Sequence, residues 1–215
     1  MAKRIGFKSY CWSIGTTSYR TDNFNLSIEK QLQLLKQFRE IEENTNKEWN
    51  GNNEFQTEYY NFLRESGFVK GEAVRPDKDA REKTSGLRDI GLLDDERNVT
   101  ESGLELLKIA ALNDFSSDNF LEIPKDSYLY FKQLLKTSNV IEGKVVRPFV
   151  VFLYLINKLG YLTNDEFTYL LPLCIDEKTT KDIISSIKSY RKTGKKQFDD
   201  IILSVLMEKD NYKQA

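Results

Sequence analysis

The side chains with most to offer chemically cluster in one short stretch: Arg75, Lys78, Arg81, Lys83 and Arg88. On a helix, Lys78, Arg81, Ser85 and Arg88 share one stripe, with Thr84 beside it. Such a stripe suits a DNA major groove, where arginine donates in pairs to guanine and hydroxyls reach bases or phosphates. Asp77, Asp79, Glu82 and Asp89 are interleaved with the cations, so a solvated helix face is the competing reading. Acids do not exclude base reading, because a carboxylate accepts from the cytosine amino group. A second set, Trp12, Thr16, Thr17, Ser18, Tyr19 and Arg20, lies in a polar segment without helical period. It could contact phosphates and bases, or form a packed arm with Trp12 inside. A third set, Lys188, Arg191, Lys192, Lys195 and Lys196, could clamp a phosphate backbone or simply end a soluble helix.

Bond-breaking chemistry is more restricted. The chain has no histidine, which excludes Ser-His-Asp and Cys-His catalysis and any His-dependent metal nuclease. What remains is carboxylate and lysine chemistry with Mg²⁺, or none. Asp77, Asp79, Glu82 and Lys83 have the residue types of a carboxylate–lysine nuclease motif, but their stretch reads as helix. Glu122, Lys125 and Asp126 are a weaker version. Neither has the strand context that aims two carboxylates at one ion, so no catalytic site and no metal ligand are expected.

A chain of 215 residues, 40% hydrophobic and 30% charged, is expected to be globular and soluble. No apolar run reaches the roughly 20 residues of a membrane span. The opening MAKRIGFKSYCW lacks the apolar core of a secretory signal, and Cys11 and Cys174 stand alone. A reduced cytoplasmic setting, with no membrane partner, follows as the expectation. Net charge is only −1, yet it is unevenly spread. Lys3, Arg4, Lys8, Arg20, Lys30 and Lys36 face only Asp22 and Glu29, whereas Glu40, Glu42, Glu43, Asp94, Asp95 and Glu96 form the acidic balance. One DNA-facing side is compatible with that polarity.

The elements that must position the basic stripe are legible. Leu87 and Ile90 mark the buried face of its helix, and Gly91 ends it. Leu92-Leu93, the turn 94–98 and Val99 read as a small wing. Thr100 caps the next helix, expected to bury Leu104, Leu107 and Ala111. Upstream, Ser27 is expected to cap a helix burying Ile28, Leu32, Leu35 and Phe38, and a second helix starts near Glu54 with Phe55, Tyr59, Phe62 and Leu63 inward. Downstream, Tyr128, Phe131, Leu134 and Leu135 mark a helix, and residues 138–147 read as a link. Pro148 then starts a helix ended by Gly160, whose run 149–156 suits a buried position. Thr163 caps a helix burying Phe167, Leu170 and Leu171, and a last one buries Ile183, Ile184 and Ile187. The expected fold is mainly α, with two winged-helix or helix-turn-helix-like units and a small β-wing, divided as residues 1–112 and 113–215.

The segment SYCWSIGTTSYR, the helix at Ser27 to Phe38, and the segments VRPDKDAREKTSGLRDIGLLDDERNVTESGLELL and RPFVVFLYLINKLGYLTNDEFTYLLPL, in that order, resemble the N-terminal DNA-recognition region of the AlwI-type family of type IIS restriction endonucleases, similar in plan to the FokI recognition region. The resemblance runs from about Phe7 to Tyr190. It implies that Arg20, Arg81, Lys83, Thr84, Ser85 and Arg88 face double-stranded DNA at a short asymmetric site. It also implies a Mg²⁺-dependent nuclease domain or subunit outside this chain. Two other readings stay open from the residues themselves: a winged-helix repressor on a palindrome, and a winged-helix protein-interaction module.

Overall fold

The computed structural model describes residues 24–193 except Glu142. Trp12, Thr16, Thr17, Ser18, Tyr19, Arg20, Lys195 and Lys196 lie outside the described residues. The described chain is mainly helical with one two-stranded antiparallel sheet. It forms two compact units that divide between Thr137 and Ser138.

The first unit contains α1 (Phe24–Glu40), α2 (Asn53–Glu65), α3 (Pro76–Asp89), α4 (Glu101–Leu112) and α5 (Lys125–Lys136). Ile28, Leu32, Leu35 and Phe38 recur at helical spacing on α1 and are all buried, as are Phe55, Tyr59 and Leu63 on α2. Phe38 stacks on Phe55 at 5.1 Å between centroids, and the Trp49 ring meets Tyr59 edge-on at 5.7 Å. Asn52 caps α2 by accepting from the Phe55 N–H, and Pro76 opens α3 where its missing N–H costs nothing. Gly91, at φ +74°, turns the chain out of α3. α5 belongs with these helices, so the boundary falls later than residue 112. The Gln133 carboxamide donates to the carbonyls of Ile90 and Gly91, at 3.0 and 3.2 Å, and the buried Asp126 accepts from Asn25 at 3.0 Å.

Three local expectations shift here. α1 begins at Phe24 rather than after Ser27, and the Asn25–Asp126 bond fastens that additional turn. The wing is a turn closed by a single bridge, Leu93↔Val99, not a ladder. Thr100 does cap α4, accepting from the Gly103 N–H, but the fully buried positions are Gly103, Leu106 and Ile109. Leu104 and Ala111 are exposed, and Leu107 is only partly buried. The cause is Gly103, which seats α4 directly on the turn backbone. A Cβ there would lie 2.5 Å from the Leu92 carbonyl oxygen, so this face turns inward and the leucine stripe rotates out.

The second unit contains β1 (Asn139–Ile141), β2 (Lys144–Val146), α6 (Pro148–Leu159) and α7 (Glu177–Thr193). The expected link 138–147 is therefore an antiparallel strand pair in register Ile141↔Lys144, with Gly143 at φ +74° before β2. Ile141 and Val146 point inward while Val140 and Val145 point out, which is the alternation a strand requires. Leu155 of α6 packs with Leu170, Leu171, Ile183, Ile184 and Ile187. α6 buries less of its apolar run than expected, leaving Val150, Leu153 and Tyr154 about 40% exposed. Thr163 and Glu166 form a reciprocal cap. The following stretch, Glu166–Leu170, is π-helical. Glu166 is buried there, and Phe167, expected inside, is 50% exposed.

Candidate nucleic-acid interface

α3 is positioned by what lies beneath it. Ala80, Thr84 and Leu87, spaced four and three apart, form its buried side. Thr84 was expected beside the DNA-facing stripe, and the structure corrects this: its side of the helix is the core side. Its hydroxyl donates to the Ala80 carbonyl at 2.9 Å and accepts from Arg97 Nε at 3.1 Å.

The remaining stripe residues stay within reach of solvent. Arg75, Lys78 and Arg88 are exposed, while Arg81, Lys83 and Ser85 are half-buried. Each cation has a nearby acid: Arg75 and Arg81 share Asp77 Oδ2 at 2.9 Å each, Lys78 faces Glu82 at 3.5 Å, Lys83 faces Asp79 at 3.8 Å, and Arg88 grips Asp89 at 2.7 Å. Arg81 also donates to Asn53 and Gln56 of α2. The Ser85 hydroxyl donates to the Glu82 carbonyl at 2.9 Å. Exposed ion pairs of this kind contribute about 0–1 kcal/mol each, so well-placed acceptors on a duplex can replace them. The Arg75 guanidinium holds the Asp77 carboxyl down at about 2, so it is charged at neutral pH.

The turn after α3 is built as a brace. Arg97 adopts φ +61° and is buried. Besides Thr84 it donates to the Asp95 carbonyl at 2.8 Å, and its guanidinium lies 5.8 Å from the Trp49 ring centre. The Glu96 carboxylate accepts from the Trp49 N–H at 2.6 Å and from Asn50. The backbone N–H of Trp49 chiefly holds Glu96 below the usual carboxylate range. Arg39 of α1 donates to the carbonyls of Lys47 and Glu96. Burial pushes both Arg39 and Arg97 below the usual arginine value, though a guanidinium stays protonated. Sequence reasoning placed Arg97 and Glu96 in a turn without giving them a role. Apart from the Asp95 carbonyl, the hydrogen-bond partners that fix them lie 13 to 57 residues away, and no local pattern announces those. The exposed tip of the turn carries Asp94 and Asp95.

In the second unit the basic run divides. Lys188 and Lys192 are exposed, but Arg191 is engaged internally. Its Nε and Nη2 donate to Glu166 at 2.9 and 2.6 Å, and its remaining donors reach the carbonyls of Leu159 and Tyr161. Its guanidinium also lies 4.0 Å over the Tyr161 ring. It is not offered to a phosphate.

The carboxylates considered for catalysis do not converge. Asp77 and Asp79 face cations on α3, and Asp126 faces Asn25. Among the described residues no three His, Cys, Asp or Glu side chains come together as a metal ion would need. No described helix is long and apolar enough to cross a membrane.

A family model described as AlwI restriction endonuclease matches residues 88–215, more than half of the chain. The match begins at Arg88, so the wing, both helices after it and the whole second unit fall within it, while most of the α3 stripe precedes it. No curated protein and no solved structure matches the chain.

Proposed function

The chain belongs to the AlwI restriction endonuclease family, and on that premise we propose that its described part serves sequence-specific recognition of double-stranded DNA in a type II restriction enzyme. α3 is the reading helix and the turn 94–98 is its wing, in a winged-helix arrangement. The observation that carries this reading is the row Arg75, Lys78, Arg81, Ser85 and Arg88, held in weak exposed pairs on a helix braced from behind by Arg97 and Gln133. Rigid support with exchangeable outer contacts is what base reading needs.

The cutting chemistry, expected to depend on Mg²⁺, is assigned to a nuclease domain or subunit outside the described residues. No carboxylate cluster among the described residues fits the ion.

Selection of duplexes from a random library at near-physiological salt tests the reading. A short asymmetric motif is the expected product. A palindrome would indicate a repressor, and no enrichment would leave a protein-interaction module. With the motif known, Arg88→Ala should cost about 1–3 kcal/mol on the selected duplex and much less on a scrambled one. Equal losses on both would remove Arg88 as a base reader.

A further inference from the structure

Two guanidinium groups, from Arg75 and Arg81, converge on one oxygen of Asp77, each at 2.9 Å. Two guanidinium groups donating to one anionic oxygen is a charge-assisted arrangement that a backbone phosphate oxygen can also accept. The acid is built into the first turn of α3; Lys78 and Lys83 face Glu82 and Asp79 more loosely, and Arg88 is held by its neighbour Asp89. A positively charged helix in an unassisted state would bind any duplex through its phosphates, because that attraction carries no sequence information.

We propose that Asp77 is a specificity-determining residue: an internal phosphate mimic that occupies Arg75 and Arg81, so that only DNA offering correctly placed acceptors displaces it. This inference rests on the DNA-recognition reading of α3. It explains why acids are interleaved along the helix that carries the cations and why the interface is nearly neutral as a whole. Non-cognate phosphates must exchange one anion for another and gain little. A cognate site adds base-edge hydrogen bonds that the carboxylate cannot match. Asp77 keeps its charge in mildly acid and neutral solution alike, since the Arg75 hydrogen bond holds its carboxyl at about 2.

The test is the affinity of the full chain for the selected duplex and for a scrambled one, by fluorescence anisotropy across roughly 50–200 mM salt. Asp77→Asn keeps the side-chain shape and removes the charge. It should raise scrambled-duplex affinity about three- to tenfold, with a smaller gain on the selected duplex, so that discrimination falls. The salt dependence should steepen by about one counterion. In an Arg75→Gln/Arg81→Gln background the same substitution should no longer raise scrambled-duplex affinity. A gain that persists there would show a general charge effect and overturn the proposal. So would an unchanged scrambled-duplex affinity in a folded Asp77→Asn protein. Asp77→Ser replaces it if the asparagine variant does not fold. If the unsubstituted chain binds no duplex, the recognition reading fails first and the inference falls with it. If the chain selects a motif and Asp77→Asn changes nothing, only the inference fails.

Discussion

Glu166→Ala is expected to destabilise the unit that begins at Ser138 by about 3–5 kcal/mol, the usual cost of stripping one partner from a buried ion pair. The Glu166 side chain is wholly buried, while Arg191 keeps about a fifth of its side-chain surface exposed. Removing the carboxylate leaves the guanidinium, the Tyr190 hydroxyl and the Thr163 N–H without their shared acceptor. Burial by itself would raise the Glu166 carboxyl, but hydrogen bonds from Arg191, Tyr190 and Thr163 outweigh it and hold the group below its usual value. The folded-state value is therefore depressed. The stabilisation is present above the unfolded-state value and is lost as pH falls through the folded one. Urea unfolding followed from about pH 6 down to pH 3 should show this acid loss in the unsubstituted chain and a shallower one in Glu166→Ala. A variant with an unchanged unfolding midpoint at neutral pH would show that the clamp contributes nothing.

Gly103→Ala is the second large effect, and its sign is the informative part. In an open helix this change stabilises by roughly 1 kcal/mol. Here the new Cβ would stand 2.5 Å from the Leu92 carbonyl oxygen and 2.6 Å from a Val99 methyl. That oxygen accepts from the Thr100 N–H at 3.0 Å, so neither the turn nor α4 can yield without breaking the wing closure. Net destabilisation of about 1–3 kcal/mol is expected, as for other overpacked cores. Because Leu92 lies in the turn that leaves α3, the change should also weaken binding to a selected duplex. Thermal unfolding checks the first effect and anisotropy the second. A stabilised Gly103→Ala protein would mean that α4 is not seated on the turn.

The brace behind α3 shows how far sequence reading reaches. That residues 76–89 form a helix, with Leu87 inward and Gly91 at its exit, follows from spacing and from the freedom of glycine at positive φ. That Thr84 is a core hydroxyl does not follow. Its hydroxyl can lie on the buried side with Ala80 and Leu87 because Arg97 from the turn and the Ala80 carbonyl both partner it. The strand pair at residues 139–146 was legible in principle, since Val140 and Val145 alternate with Ile141 and Val146 around Gly143. Its strands are three residues long, too short for a period to stand out from a link.

By itself the sequence determined the helical class, most helix ends and most inward faces, because caps, prolines, glycines and apolar periods act within a turn or two of chain. Thr100, Pro148, Gly160 and Thr163 all work at that range. Tertiary structure alone decided the rotation of α4, the burial of Glu166, the internal use of Arg191 and the bracing by Arg39, Glu96 and Arg97. Those outcomes depend on close backbone approach and on hydrogen bonds between residues far apart in the chain. Burying a charge is favourable only once every partner has arrived, and no local pattern carries that information.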